Sequence, residues 1–184
     1  MLIGICRNLA SSPCVALVLC VALVAGCATR VPHPATHRSE GSMPLAELAA
    51  RVADNPRDAD AHLALAQAWD RLARTAPQAE QYRSLASAGY ESALRFAPND
   101  ALANLLAGQR EFAAARFERA QELFANAVLA APDDATTLLA FASASYRAGD
   151  VPFARLAAER ASQLAPNRVE PRRLAVLAAA AHGD

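Results

Sequence analysis

The sequence predicts an all-α protein whose helices pair antiparallel and stack as an α-solenoid. Pro98, Pro132 and Pro166 recur at intervals of 34 residues, and a fixed period of this length is typical of repeat architectures. Alanine, the best helix former, is abundant in every repeat, whereas aromatic residues make up only 5% of the chain. Residues 44–184 therefore accommodate about three helix pairs with a capping helix at each end.

The residues that precede each proline are periodic as well. In the central repeat Ala120, Phe124, Ala127 and Pro132 stand at offsets that return in both neighbouring repeats. The equivalent residues are Ala86, Tyr90, Ala93 and Pro98 one repeat earlier, and Ala154, Ala158, Ala161 and Pro166 one repeat later. This pattern resembles that of the tetratricopeptide repeat (TPR) family. The resemblance implies a TPR α-solenoid in which Gly108 admits a neighbouring helix and Phe124 fills the space between the small residues.

The prolines also set the predicted boundaries. The segments are an N-terminal capping helix over 44–56, repeat 1 over 59–100, repeat 2 over 101–134, repeat 3 over 135–168, and a C-terminal capping helix over 169–182. Repeat 1 is eight residues longer than the period, and we place the extra residues near 73–80. Thr75 and Gln78 in that insertion resemble a capping box at the start of the second helix.

Aspartates mark the start of each repeat. Asp58, Asp100 and Asp134 occupy the N-cap position, immediately before the first helix of each repeat. Aspartate is favoured there because its short carboxylate accepts hydrogen bonds from the free amides of the first turn. At the fourth equivalent position the residue is Arg168, and we expect Asn167 to cap that helix instead.

Residues 1–26 are predicted to be a lipoprotein signal peptide. Arg7 precedes an apolar run over 15–25, which suits a signal-peptide core better than a membrane span of about 20 residues. The segment 24–27, Val-Ala-Gly-Cys, resembles the bacterial lipobox, in which the cysteine is lipidated and becomes the mature N-terminus. An uncleaved N-terminal anchor or an ordinary secretory peptide is the alternative.

The lipoprotein resemblance implies that Cys27 carries acyl chains, such as palmitate, that insert into a membrane. Residues 27–43 contain two prolines and a glycine without apolar periodicity, which predicts a flexible tether. Ala28 occupies the position where an aspartate would favour retention in the inner membrane. The resemblance therefore favours the bacterial outer membrane, with the protein facing the periplasm.

The sequence contains no recognisable catalytic motif. It has no G-x-S-x-G and no phosphate-binding glycine loop. His33 and His37 have a metal-ligand spacing, but they lie in the proline-bearing tether, where a solvated linker is the simpler interpretation. The formal charge of zero gives no electrostatic attraction to nucleic acid. We therefore predict a protein that is not an enzyme, with no metal, cofactor, nucleic acid or small-molecule substrate.

The TPR resemblance implies a concave groove, lined by the first helix of each repeat, that binds a protein or peptide segment. The predicted groove residues are Asp60, Leu63, Gln67 and Asp70 from repeat 1, Leu102, Leu105, Gln109 and Phe112 from repeat 2, and Thr136, Leu139, Ser143, Tyr146 and Arg147 from repeat 3. For Leu63 and Leu105, packing between repeats is an equal alternative. The cation set of TPRs that grip a partner's C-terminus is not matched, and only Arg147 and Arg173 are expected near the groove. The predicted ligand is accordingly an apolar or mixed segment.

These features lead to a hypothesis of a membrane-tethered scaffold. Its role would be protein–protein interaction in assembly of an envelope complex such as a pilus or secretion system, as in the TPR lipoproteins it resembles. The alternatives are an adaptor that recruits a peptidoglycan-remodelling enzyme and a general periplasmic chaperone-like factor.

Overall fold

The computed structural model describes residues 43–182, which form eight α-helices and no β-strand. The helices are α1 (Leu45–Asp54), α2 (Ala59–Leu72), α3 (Ala79–Phe96), α4 (Ala101–Ala113), α5 (Phe117–Ala130), α6 (Ala135–Ala148), α7 (Val151–Leu164) and α8 (Glu170–His182). The predicted all-α class is confirmed. The predicted signal peptide, Cys27 and almost all of the predicted tether lie outside the described residues.

The helices pack in sequence order. The pairs α2–α3, α4–α5 and α6–α7 make the most extensive contacts, α1 packs on α2, and α8 packs on α7. The interior is built largely from alanine, with a few larger side chains between the pairs. Four apolar clusters follow one another along the solenoid, centred on Leu48, Tyr90, Phe124 and Leu138. Alanine at the contact positions lets helices approach closely, so the few large side chains fill what remains.

The three predicted aspartate caps are confirmed. Asp58 accepts a hydrogen bond from the backbone N–H of Ala61 at 3.0 Å, and Asp100 accepts one from that of Ala103 at 2.6 Å. Asp134 accepts from the N–H groups of two residues of the following turn. These bonds satisfy amides that the helix itself leaves without partners.

The predicted cap at Asn167 is wrong. Helix α8 begins only at Glu170, and the carbonyl oxygen of Val169 accepts the first backbone hydrogen bond, from Arg173 at 3.0 Å. The helix therefore starts a residue later than its repeat position predicts, and Asn167 is too far upstream to reach its first free amides.

The insertion of repeat 1 is divided between the turn and the second helix. Residues 73–78 connect α2 to α3, whereas only residues 114–116 connect α4 to α5. Helix α3 has 18 residues, compared with 14 in α5. The predicted capping box is wrong, because α3 begins at Ala79 and the side chain of Gln78 makes no capping hydrogen bond. The extra residues thus extend the helical hairpin of repeat 1 beyond that of repeat 2.

Candidate partner-binding groove

The first helices α2, α4, α6 and α8 follow one another along one side of the solenoid, and α2 is joined to α4 by side-chain contacts such as the ion pair between Asp70 and Arg110. Helix α4 contacts α6, and α6 contacts α8, in addition to their contacts with the second helices. We use "groove" for the surface that these four first helices share. Among the predicted groove residues, Asp60, Gln109, Thr136 and Arg147 are exposed, and Gln67, Asp70, Leu102, Leu105, Phe112, Leu139, Ser143 and Tyr146 are half-buried.

Leu63 is a correction to the predicted set. Its side chain is only 3% exposed and belongs to the core cluster that contains Tyr90, Ala103 and Ala107. It therefore packs between repeats 1 and 2, which was the alternative interpretation, and a partner could not reach it. Ala103 and Ala107 of α4 belong to the same cluster, so Leu63 is covered from that helix.

Leu105 is intermediate between the two interpretations. It is half-buried and packs against the cluster of Ala120, Phe124 and Ala144. Part of the side chain therefore supports the contact between repeats 2 and 3, and part of it remains on the groove surface.

Asp70 is held by a polar network at the end of α2. The hydroxyl of Tyr90 donates a hydrogen bond to Asp70 at 2.8 Å, and Arg110 forms an ion pair with it at 3.4 Å. Burial, together with the neighbouring Asp70 carboxylate, raises the pKa of the Tyr90 phenol, so the hydroxyl stays protonated and keeps donating. Asp70 thus links repeats 1 and 2 while its side chain remains partly accessible.

Arg147 lies over an aromatic pair rather than free in solution. Its guanidinium carbon is 4.3 Å from the centre of the Phe117 ring, and Phe117 meets Phe112 edge to face at 5.3 Å between centroids. A cation over an aromatic face is attracted by the ring's quadrupole. This stacking fixes the side chain at the exposed end of the groove.

A small apolar pocket opens in the groove between α6 and α8. Its volume is about 240 Å³, and its lining comprises Leu139, Ser143, Glu170, Arg173, Leu174 and Leu177. Two of these residues, Leu139 and Ser143, were predicted as groove residues, and Arg173 was predicted near the groove. Leu174 and Leu177 were missed because 169–182 was interpreted only as a cap. The repeat period could have predicted Leu177 as a groove residue, because it stands 34 residues after the groove residue Ser143.

A second feature, the arginine-lined cleft, lies where the insertion of repeat 1 meets the end of α4. It consists of two adjoining cavities of about 400 and 600 Å³ that share Arg83 and Arg110. The first cavity adds Arg74 and the groove residues Asp70 and Gln109, and the second adds Arg116. Sequence reasoning missed these arginines because most of them lie in the turns and in α3, outside the first helices.

The described residues contain no group of three or more histidine, cysteine, aspartate or glutamate side chains placed to hold a metal ion. Within the same range, no helix has the length and apolar character needed to cross a membrane.

Solved structures of TPR proteins resemble this fold. TTC0263, a thermophilic TPR protein of Thermus thermophilus, is 23% identical with a TM-score of 0.56, over 74% of this chain and 70% of that one. YrrB, a TPR protein with an unusual peptide-binding site, is 18% identical with a TM-score of 0.65, over 76% of this chain and 68% of that one. No protein-family model matches the sequence, and no curated protein matches it.

A third similar structure contains a ligand. The first TPR domain of Spaghetti (RPAP3), bound to the HSP90 peptide SRMEEVD, is 15% identical with a TM-score of 0.54, over 65% of this chain and 94% of that one. At these identities the likeness defines the fold alone. The chain has the TPR α-solenoid fold, as the 34-residue period predicts.

Proposed function

We propose that this protein is a non-enzymatic scaffold whose groove binds a segment of a partner protein. The observation that carries the proposal is the pocket between α6 and α8, where Leu139, Leu174 and Leu177 surround a volume of about 240 Å³. Leu177 is 49% exposed although it is a large aliphatic side chain. Leu177 lies on α8, the fourth of the groove helices, so the apolar pocket is open at that end of the groove.

The pocket suits one apolar side chain of an incoming segment. Removing a leucine or valine side chain from water contributes about 1.5–3 kcal/mol, and Ser143, Glu170 and Arg173 at the same pocket offer polar contacts for the backbone around it. Similar folds that bind peptides, the YrrB and Spaghetti domains, support this mode of action. No cofactor is needed for it.

The proposal includes attachment to a membrane through Cys27. Its support is the sequence pattern alone, an apolar run followed by Val-Ala-Gly-Cys and a proline-bearing tether. A lipid on Cys27 would keep the groove within a short distance of the bilayer, because a tether of about 16 residues spans roughly 20–25 Å on average. The proposed location is the periplasmic face of the bacterial outer membrane.

The proposed pathway is the assembly of an envelope complex such as a pilus or secretion system. It follows the resemblance to TPR lipoproteins that act there. Recruitment of a peptidoglycan-remodelling enzyme and a general chaperone-like role are the competing functions, and all three use the same groove.

Photocrosslinking in the intact host tests this proposal. A benzoylphenylalanine is placed at Leu177 in the pocket, and a matched control carries it at Leu156, which is 64% exposed on α7 outside the groove. We expect one dominant adduct from position 177 and not from position 156. A secretin or pilus subunit in that adduct supports the proposed pathway, whereas a cell-wall hydrolase supports recruitment. Equal adducts from both positions contradict groove binding.

A further inference from the structure

The insertion of repeat 1 builds the walls of the arginine-lined cleft. Arg74 projects from the six-residue turn 73–78, and Arg83 lies one turn into the lengthened helix α3. Arg110 near the end of α4 forms the floor that both cavities share, and Arg116 follows in the next turn. Because repeat 2 has only a three-residue turn at 114–116, its hairpin ends short of that of repeat 1 and leaves this space open.

The charges in the cleft leave one cation in excess. Arg83 pairs with Glu80 at 3.0 Å, Arg110 pairs with Asp70 at 3.4 Å, and Arg116 pairs with Glu111. Arg74 is exposed, and its guanidinium group has no hydrogen-bond or ion-pair partner among residues 43–182. Three of the four guanidinium groups are thus held in ion pairs within the described residues, and that of Arg74 is not.

Arg110 has unused donor capacity. Its side chain is only 21% exposed, and its Nε atom is enclosed without a hydrogen-bond acceptor in the described part of the chain. Its other contacts are long, at 3.4 Å to Asp70 and 3.5 Å to the carbonyl oxygen of Arg83. Enclosed donors without acceptors are uncommon in native proteins, and this one lies beside a cavity.

We infer that the arginine-lined cleft binds a single carboxylate of the partner segment that occupies the groove. The inference rests on the proposed function, because the cleft and the groove join at Asp70 and Gln109. Planar guanidinium groups match a carboxylate with two parallel hydrogen bonds. A single negative charge balances the cation of Arg74, whereas a phosphate dianion would bring one negative charge more than the unpaired cation can balance. The partner segment is therefore mixed, with an acidic residue at the cleft and an apolar residue at the α6–α8 pocket.

Selection from a random octapeptide library against the full chain tests the inference. We expect aspartate or glutamate to be enriched at one position by the wild-type protein. The enrichment should disappear in an Arg74→Gln/Arg83→Gln variant, which keeps its fold because both side chains are exposed. It should persist in Arg155→Gln, a matched control on α7 whose exposed arginine pairs with Glu159 at 3.2 Å.

Selected peptides are then synthesised in three forms, with glutamate, glutamine or phosphoserine at the enriched position. Wild type should bind the glutamate form about tenfold more tightly than the glutamine form, and the double variant should bind the two alike. Tighter binding of the phosphoserine form, or equal enrichment of acidic residues by the double variant, overturns the carboxylate assignment. Selection of apolar peptides without any acidic residue overturns it as well but leaves groove binding intact. Failure to select any peptide overturns both.

Discussion

Phe124 lies directly against Gly108 in the middle of the solenoid. A β-carbon added at Gly108 would stand 2.6 Å from Cε1 of Phe124, and the phenyl ring is only 2% exposed. The ring also contacts the cluster that includes Ala120 and Ala144. One aromatic side chain therefore joins both helices of repeat 2 to the first helix of repeat 3.

Truncating Phe124 should cost more stability than any change on the outer surface. We expect Phe124→Ala to lower the free energy of unfolding by about 3–5 kcal/mol, because the cavity left between three helices cannot close completely. Urea denaturation followed by circular dichroism measures this. Leu129→Ala is the control, since that side chain is 81% exposed and its loss should change stability by no more than about 0.5 kcal/mol.

Adding a methyl group at Gly108 should destabilise the protein even though alanine is the better helix former. The gain in helix propensity is about 1 kcal/mol, whereas overpacking a filled core costs about 1–3 kcal/mol. We therefore expect a net loss in Gly108→Ala. Combining it with Phe124→Leu should cost less than the sum of the two single changes, because the smaller side chain makes room. Additive losses in the same urea titration would contradict the contact.

Stability should fall in acid through the helix caps. Burial alone would raise the pKa of Asp134, but hydrogen bonds from the Thr137 hydroxyl and from the N–H groups of Thr136 and Thr137 outweigh it, so the pKa lies below its ordinary value. A lowered pKa means that this carboxylate stabilises the fold above the unfolded-state value of about 3.9 and loses that contribution as the pH falls through the folded-state value.

The measurement is the free energy of unfolding between about pH 7 and pH 2 in wild type and in Asp134→Asn. Asparagine also caps helices but does not titrate in this range, so the variant should lose less stability on acidification. Thr137→Val, which removes one of the hydrogen bonds to the carboxylate, should show an intermediate dependence. Identical pH profiles for all three proteins would rule out this contribution.

Lipidation should depend on Cys27 alone among the four cysteines. We expect the wild-type protein to incorporate labelled palmitate in a bacterial host and to sediment with membranes. Cys27→Ala should do neither, because the acyl chains would have no attachment site, whereas Cys20→Ala should behave as wild type. Membrane retention of the Cys27→Ala protein would contradict the lipid tether.

The spacing of residues within one repeat was enough to predict those features of the fold that depend only on residues of the same repeat. The aspartate caps follow from the first turn of each helix, and the contact of Phe124 with Gly108 follows from the fixed offsets inside one repeat. The burial of Leu63 could not be predicted from that spacing, because Leu63 packs against residues of the next repeat. Helical register gives the direction of a side chain, but the distance to the next helix depends on the size of Ala103 and Ala107 opposite it.

The arginine-lined cleft escaped prediction for a different reason. Its residues come from an insertion that breaks the period, so no offset relates Arg74 and Arg83 to Arg110. Only the length of the turn after α2 and the added residues of α3 bring them together. The sequence could show that extra residues exist near 73–80 but not which surface they would extend.

The affinity for a crosslinked and then purified partner tests the groove most directly. We predict that Leu177→Gln weakens binding about tenfold or more, because it places a polar amide where an apolar side chain should be buried. Leu156→Gln, the same substitution at an exposed position outside the groove, should leave the affinity unchanged. Equal affinities for wild type and Leu177→Gln, or an equal loss in both variants, would contradict the claim that the first helices bind the partner.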